Sequence, residues 1–224
     1  MCLFCDIQVL DSTGCLPENI ILDSSSNFYC KPALGQFIEG YLLINSKRHI
    51  PNFASLSSIE EYNELENLIQ KTQFKISKIL RKSEFITFEH GSTNRFCNVN
   101  ACKSKCIDHA HMHIIPTSKD IIKDLHLMFE VFEINCLTDL NSYANNSYLY
   151  YSSTLSKKHY CIPINSYLPS QFIRQLICQK LDIPDMWNWN QHPFRDRIAK
   201  FNSKYIEFTS GNSSINITKL TNFS

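Results

Sequence analysis

Three of the chain's eight histidines fall within Asp108-His109-Ala110-His111-Met112-His113-Ile114-Ile115-Pro116, each two residues from the next. A row of imidazoles can ligate a metal. A neutral imidazole can also attack an electrophilic phosphorus while its neighbours hold the phosphate oxygens. Three histidines can equally fall on an exposed strand face by chance, and the run alone leaves these readings open. A second group with chemistry in it is Cys2-Leu3-Phe4-Cys5, whose spacing suits two thiolates on one tetrahedral zinc ion. By itself it is half a site.

The histidines alternate with Ala110, Met112 and Ile114, a period of two that predicts a β-strand ended by Pro116. At a rise of about 3.3 Å per residue, neighbouring histidines on one face stand roughly 6.6 Å apart. The apolar residues then pack into the core behind them. A helix would scatter the imidazoles around its circumference.

The 224 residues suffice for one ordinary domain with an appendage, or for two small ones. A hydrophobic fraction of 43% predicts a folded, soluble chain, and a net charge of +1 gives no field to draw it to nucleic acid or an anionic membrane. No apolar run approaches the roughly eighteen residues of a membrane span. No signal peptide is visible, so the chain reads as cytoplasmic. There the ten cysteines read as free thiols or metal ligands, not disulfides.

Along the chain, short strands are expected at 20–22, 27–30 and 40–44, the last followed by a polar turn and His49-Ile50-Pro51. Residues 57–82 form the strongest helix, with Ser57 or Ser58 as cap, Glu60 or Glu61 closing a capping box, and apolar residues from Ile59 to Leu80 at helical spacing. A strand at 85–89 ends at His90-Gly91, and a polar loop leads into the histidine strand. Strands, one long helix and returning strands make an α+β fold with a mainly antiparallel sheet. Beyond it a smaller α/β extension is expected, with a hairpin of 148–152 and 159–164, a helix at 169–181 and an aromatic, basic stretch from Trp187 to Arg197. The expected division is 1–118, 119–209 and a disordered tail, 210–224, of short polar residues.

Taken together, the histidine run and its surroundings resemble the histidine-triad (HIT) family of nucleotide hydrolases and transferases. His109 to Ile115 matches the family's His-x-His-x-His followed by two apolar residues, and Cys2 to Ile7, Gly40 to Pro51 and Phe88 to Gly91 fall in the family's order. The resemblance covers about residues 1–118. It implies a HIT-like fold, a homodimer, and His111 as the nucleophile that forms a nucleotidyl-histidine intermediate, with His113 donating to a phosphate oxygen and His109 completing the triad. The zinc-containing branch further implies a structural zinc held by Cys2, Cys5, His49 and His109. For nucleotide binding the matching positions are Glu89 and Cys106, with Asp23 offered for the ribose. Cys97, Cys102 and Cys106 read as free thiols.

A histidine at the third triad position points to hydrolysis of a nucleoside phosphoramidate or dinucleoside polyphosphate. The region Tyr148 to Arg197 is similar to the C-terminal half of adenylyltransferase-like relatives, which points to nucleotidyl transfer instead. A slow-turnover nucleotide-binding regulatory protein is the reading from another class. A cupin-like metal oxygenase needs a glycine-rich barrel that five glycines do not readily build. Neither a membrane nor a nucleic-acid partner is expected.

Overall fold

The computed structural model describes residues 2–8, 15–92, 109–166 and 168–220, with side chains as far as residue 211. Its elements are α1 (Leu3–Ile7), β1 (Asp23–Ser24), β2 (Phe28–Pro32), β3 (Leu42–Ser46), α2 (Ile59–Leu80), β4 (Ile86–Gly91), β5 (His111–Ile115), α3 (Ile122–Met128), β6 (Phe132–Ile134), β7 (Tyr148–Ser153), β8 (Lys158–Pro163), α4 (Phe172–Lys180) and α5 (Arg195–Leu220). The eight strands make one sheet in the order β1-β2-β3-β5-β4-β7-β8-β6. Every pairing in it is antiparallel. The fold is α+β, as the order of elements in the sequence implies.

β5 lies between β3 and β4, with His113 opposite Leu43 on one side and Phe88 on the other. A central strand is covered on both faces, and here the two faces differ in chemistry. Met112 and Ile114 enter a core with Leu42, Ile44 and the α2 residues Leu65, Leu68 and Ile76. His111 and His113 face the other way, among Phe4, Leu43, Phe88 and Leu149. The strand begins at His111, so His109 precedes it, although the Ala110 N–H still bonds the Ile50 carbonyl.

α2 starts where the sequence places its cap. The Glu61 N–H, an orphan donor of the first turn, donates to Ser58 Oγ, and the Glu61 carboxylate accepts from the N–H of Ser57, the residue before the cap. Ser58→Ala in such a cap costs about 1 kcal/mol.

The sheet crosses the expected boundary at residue 118 without a break, because β7 pairs β4 along six residues. α5 returns to α2, burying Phe201 and Tyr205 in the same core. It is pinned to the N-terminal half by Arg195, whose guanidinium grips Glu18 through Nε and Nη2 at 2.9 and 2.8 Å. Its backbone continues through residues 210–220. Among the described residues no helix is long and apolar enough to cross a membrane.

Gly40 marks the turn into β3. Its φ is +84°, and a Cβ there would stand 2.7 Å from Leu80 Cδ1 and 3.3 Å from Pro116 Cγ. Gly40→Ala is therefore expected to lower the unfolding free energy by about 1–3 kcal/mol, combining left-handed strain with a clash. Urea denaturation measures this, and a midpoint equal to the parent's would contradict it.

Candidate active site and metal cluster

A cavity of about 350 Å³ opens over the histidine face of the sheet. Phe4 and Leu3 of α1, Leu43, Phe88 and Leu149 of the sheet, and Phe172 and Trp189 from the C-terminal half give it a largely apolar wall. The polar groups that reach it include His111, His113, His90, Lys31 and Arg174.

His111 is oriented by its own backbone. Its Nδ1 lies 2.7 Å from the main-chain carbonyl of His109. A carbonyl can only accept, so Nδ1 carries the proton and Nε2 keeps a lone pair. Burial is the main reason that the His111 pKa falls to about 4, with the neighbouring His109, His90 and Lys31 adding to the fall. The ring is a neutral imidazole with one free basic nitrogen.

His113 is held by two aromatic neighbours. Phe88 stacks flat on it with centroids 4.2 Å apart and planes 5° from parallel, and the Tyr41 hydroxyl meets its Nδ1 at 2.5 Å. Burial, then the nearby His111 and Arg174, push its pKa well below the ordinary value. A tyrosine hydroxyl can donate or accept; in the tautomer where Tyr41 donates to Nδ1, Nε2 carries the N–H.

His109 turns toward the N-terminus. Its Nε2–H donates to the Ser46 carbonyl at 2.7 Å, which leaves Nδ1 with the lone pair. That atom lies 3.4 Å from Cys2 Sγ, 3.6 Å from Cys5 Sγ and 3.3 Å from His49 Nδ1, and Cys5 Sγ is 3.6 Å from His49 Nδ1. A tetrahedral ion about 2.3 Å from sulfur and about 2.0–2.1 Å from nitrogen sets its ligand atoms roughly 3.3–3.8 Å apart. Those four pairs stand at that spacing and all four ligand atoms lie within 4.8 Å of one another, so the side chains can hold one metal ion. The hydrogen bond to Ser46 is the outer partner that a metal-binding histidine needs.

The residues expected to bind nucleotide fare differently. Asp23 sits at the sheet edge and pairs with Lys71 at 2.8 Å and Lys75 at 2.6 Å, both on α2. Glu89 is buried on the α2 side of the sheet, opposite the histidines, where Oε2 accepts from Tyr148 Oη at 2.5 Å and Oε1 from the Phe53 N–H at 2.9 Å. Neither lines the cavity. Cys106, with Cys97 and Cys102, lies outside the described residues.

The structure adds residues that the sequence reading did not single out. Lys31 and Arg174 are buried yet reach the cavity, and burial brings the Lys31 pKa down to about 8. His90 lies two residues beyond Phe88 on β4, on the same face. That much was readable once Phe88 is set opposite His113. Trp187 and the basic residues after it are largely structural: the Trp187 carbonyl accepts from Arg174, and Arg197 donates to the Gln36 carbonyl.

No protein-family model matches the sequence, and no curated protein matches it. Solved structures similar to it include a HIT family protein from Bacillus anthracis, 19% identical, over 51% of this chain and 72% of that one, with a TM-score of 0.38. A HIT family hydrolase from Clostridium thermocellum is 21% identical over 52% and 90% of the two chains, with a TM-score of 0.33. A hypothetical protein from Leishmania major is 17% identical over 53% and 74%, with a TM-score of 0.39. Likenesses this partial establish nothing about the site.

Glu89 yields a pH prediction. Burial outweighs its hydrogen bonds with Tyr148 and Phe53 and raises its pKa from 4.5 to about 8. Between those values the folded chain holds a proton that the unfolded chain has lost, so stability falls as pH rises through the window. Relative to Glu89→Gln, the parent should lose about 1 kcal/mol per pH unit there. Chemical denaturation of both from about pH 5 to about pH 8 tests this, and parallel pH profiles would contradict it.

Proposed function

We propose that the chain is a histidine-triad nucleotide hydrolase that cleaves the α-phosphate bond of a nucleoside phosphoramidate or dinucleoside polyphosphate. The observation that carries the reading is the fixed tautomer of His111, whose Nδ1–H is spent on the His109 carbonyl while Nε2 keeps its lone pair in a largely apolar cavity. In the first step Nε2 attacks the α-phosphorus, the bond to the leaving group breaks, and that group departs with the electron pair and takes a proton from solvent, which the second step returns. In the second step water adds to phosphorus, loses its proton and releases the nucleoside monophosphate, regenerating the imidazole. The His113 Nε2–H is suited to bond a non-bridging oxygen as charge grows on it, with Tyr41 holding the ring's other nitrogen.

The Cys2, Cys5, His49 and His109 set fits zinc, which favours mixed thiolate and imidazole ligands in tetrahedral array. Four protein ligands fill its coordination, and an ion there would clamp α1 against the start of β5. Phe4, carried by α1, packs edge-on to both His109 and His111 at 5.6 and 5.3 Å. The clamp would thereby set one wall of the cavity.

The wall contributed by Phe172, Arg174 and Trp189 favours a second reading, in which the C-terminal half holds an acceptor and His111 passes the nucleotidyl group to it in place of water.

His111→Ala should reduce turnover of diadenosine triphosphate or adenosine phosphoramidate by at least about a thousandfold, with metal content and thermal midpoint kept. Retained turnover would remove His111 from the mechanism. Cys5→Ser should lower bound zinc below one per chain and lower the melting temperature by several degrees. Unaltered zinc stoichiometry, measured by mass spectrometry of the metal, would refute the assignment.

A further inference from the structure

Arg174 is 4% exposed, yet it lines the cavity and pairs with no carboxylate among the described residues. Its Nε donates to the Trp187 carbonyl at 2.9 Å and its Nη2 to the Gly35 carbonyl at 2.7 Å. The guanidinium lies over the rings of Phe37 and Tyr41 at 5.0 and 5.2 Å. These contacts fix the guanidinium in place, but carbonyls and rings leave its charge without a counter-ion. An uncompensated buried charge is costly, so a site built around one suits an anion.

Two further observations agree. Arg174 is the third residue of α4, and residues Ser170 to Arg174 all line the cavity. This end of the nine-residue helix has no side-chain cap; its Phe172 N–H bonds the Pro169 carbonyl at 3.2 Å, and the positive end of its dipole lies among residues that line the cavity. The second is the balance of charge. Lys31, 3% exposed, reaches the same cavity from β2. Glu18, the one acidic residue among the described residues that line the cavity, is already gripped by Arg195.

We propose that the uncapped start of α4 and Arg174, with Lys31 on the β2 wall, form a second anion subsite. The ligand of the cavity then carries a further phosphoryl group besides the one presented to His111. The inference rests on the nucleotide reading above and narrows it: the preferred substrates are phosphoanhydrides, not phosphoramidates with an amine leaving group. Arg174 reaches His113 through a single side chain, since Tyr41 touches both. The proposed subsite and His113 thus flank the same tyrosine. On this account the C-terminal half supplies part of substrate recognition.

Calorimetric titration of the full chain with AMP and with α,β-methylene-ADP, whose carbon bridge resists cleavage, tests this without depending on turnover. The parent should bind the diphosphate at least about tenfold more tightly, as charge-assisted contacts to a second phosphoryl group require. Arg174→Met should bring that ratio to within about twofold of one, and Arg174→Lys, which keeps the charge but loses the fork, should fall between. Metal content at the cysteine–histidine cluster checks the fold of each variant. Should Arg174→Met not fold, the Lys variant carries the test through a threefold or greater fall in the ratio. A parental ratio near one, or a ratio unmoved by substitution, overturns the subsite. If neither nucleotide binds, the nucleotide reading fails by itself, and the subsite is judged by pyrophosphate against orthophosphate with the same criteria.

Discussion

The hydrogen bond from His111 Nδ1–H to the His109 carbonyl ties the ring proposed as nucleophile to the main chain, and the contacts of His109 hold that carbonyl in place. His109 is itself buried and held from both ends of its ring. Nε2 donates to the Ser46 carbonyl of β3, and Nδ1 faces Cys2, Cys5 and His49. A metal in that cluster would fix His109, and through its carbonyl the tautomer of His111. Histidines two residues apart in a strand can act in this way because one contributes its backbone where the next contributes its ring. The cluster lies outside the cavity, so it can stabilise this arrangement without meeting a substrate.

The surrounding sheet supplies the second condition, burial of the histidines. β5 lies between β3 and β4, and α1, Phe88, Leu149 and the C-terminal segments close over its histidine face. Removing water disfavours the charged imidazolium, which is the chief reason both His111 and His113 stay neutral. The positive charge of the site is instead placed on Lys31 and Arg174, which come from different halves of the chain. A neutral imidazole and two basic side chains thus occupy the same cavity.

The central features were legible in the sequence because they follow from local periodicity. Alternation in 109–115 reads directly as imidazoles on one face and Met112 and Ile114 on the other, and the capped 3.6-residue pattern reads as α2. The cysteine pair gains meaning only when His49 and His109 are brought to it, which the resemblance supplied and spacing could not. Lys31 and Arg174 were hidden for a related reason. A lysine before a proline and an arginine on an amphipathic helix look like surface charge, and only tertiary packing buries them. Asp23 looked available for a ribose until α2 brought Lys71 and Lys75 to it. Glu89 was a matter of parity: once Phe88 faces His113, its neighbour in the strand must face the other core, where Tyr148 awaits it.

The proposed reaction is covalent chemistry at one nitrogen, and its most direct test is rapid-quench mass spectrometry under non-acidic conditions. The protein is mixed with diadenosine triphosphate and stopped within the first turnover. An increment of one nucleoside monophosphate, assigned by fragmentation to His111, is the expected result. Product formation in the same interval with no adduct, or an adduct on another residue, would contradict it.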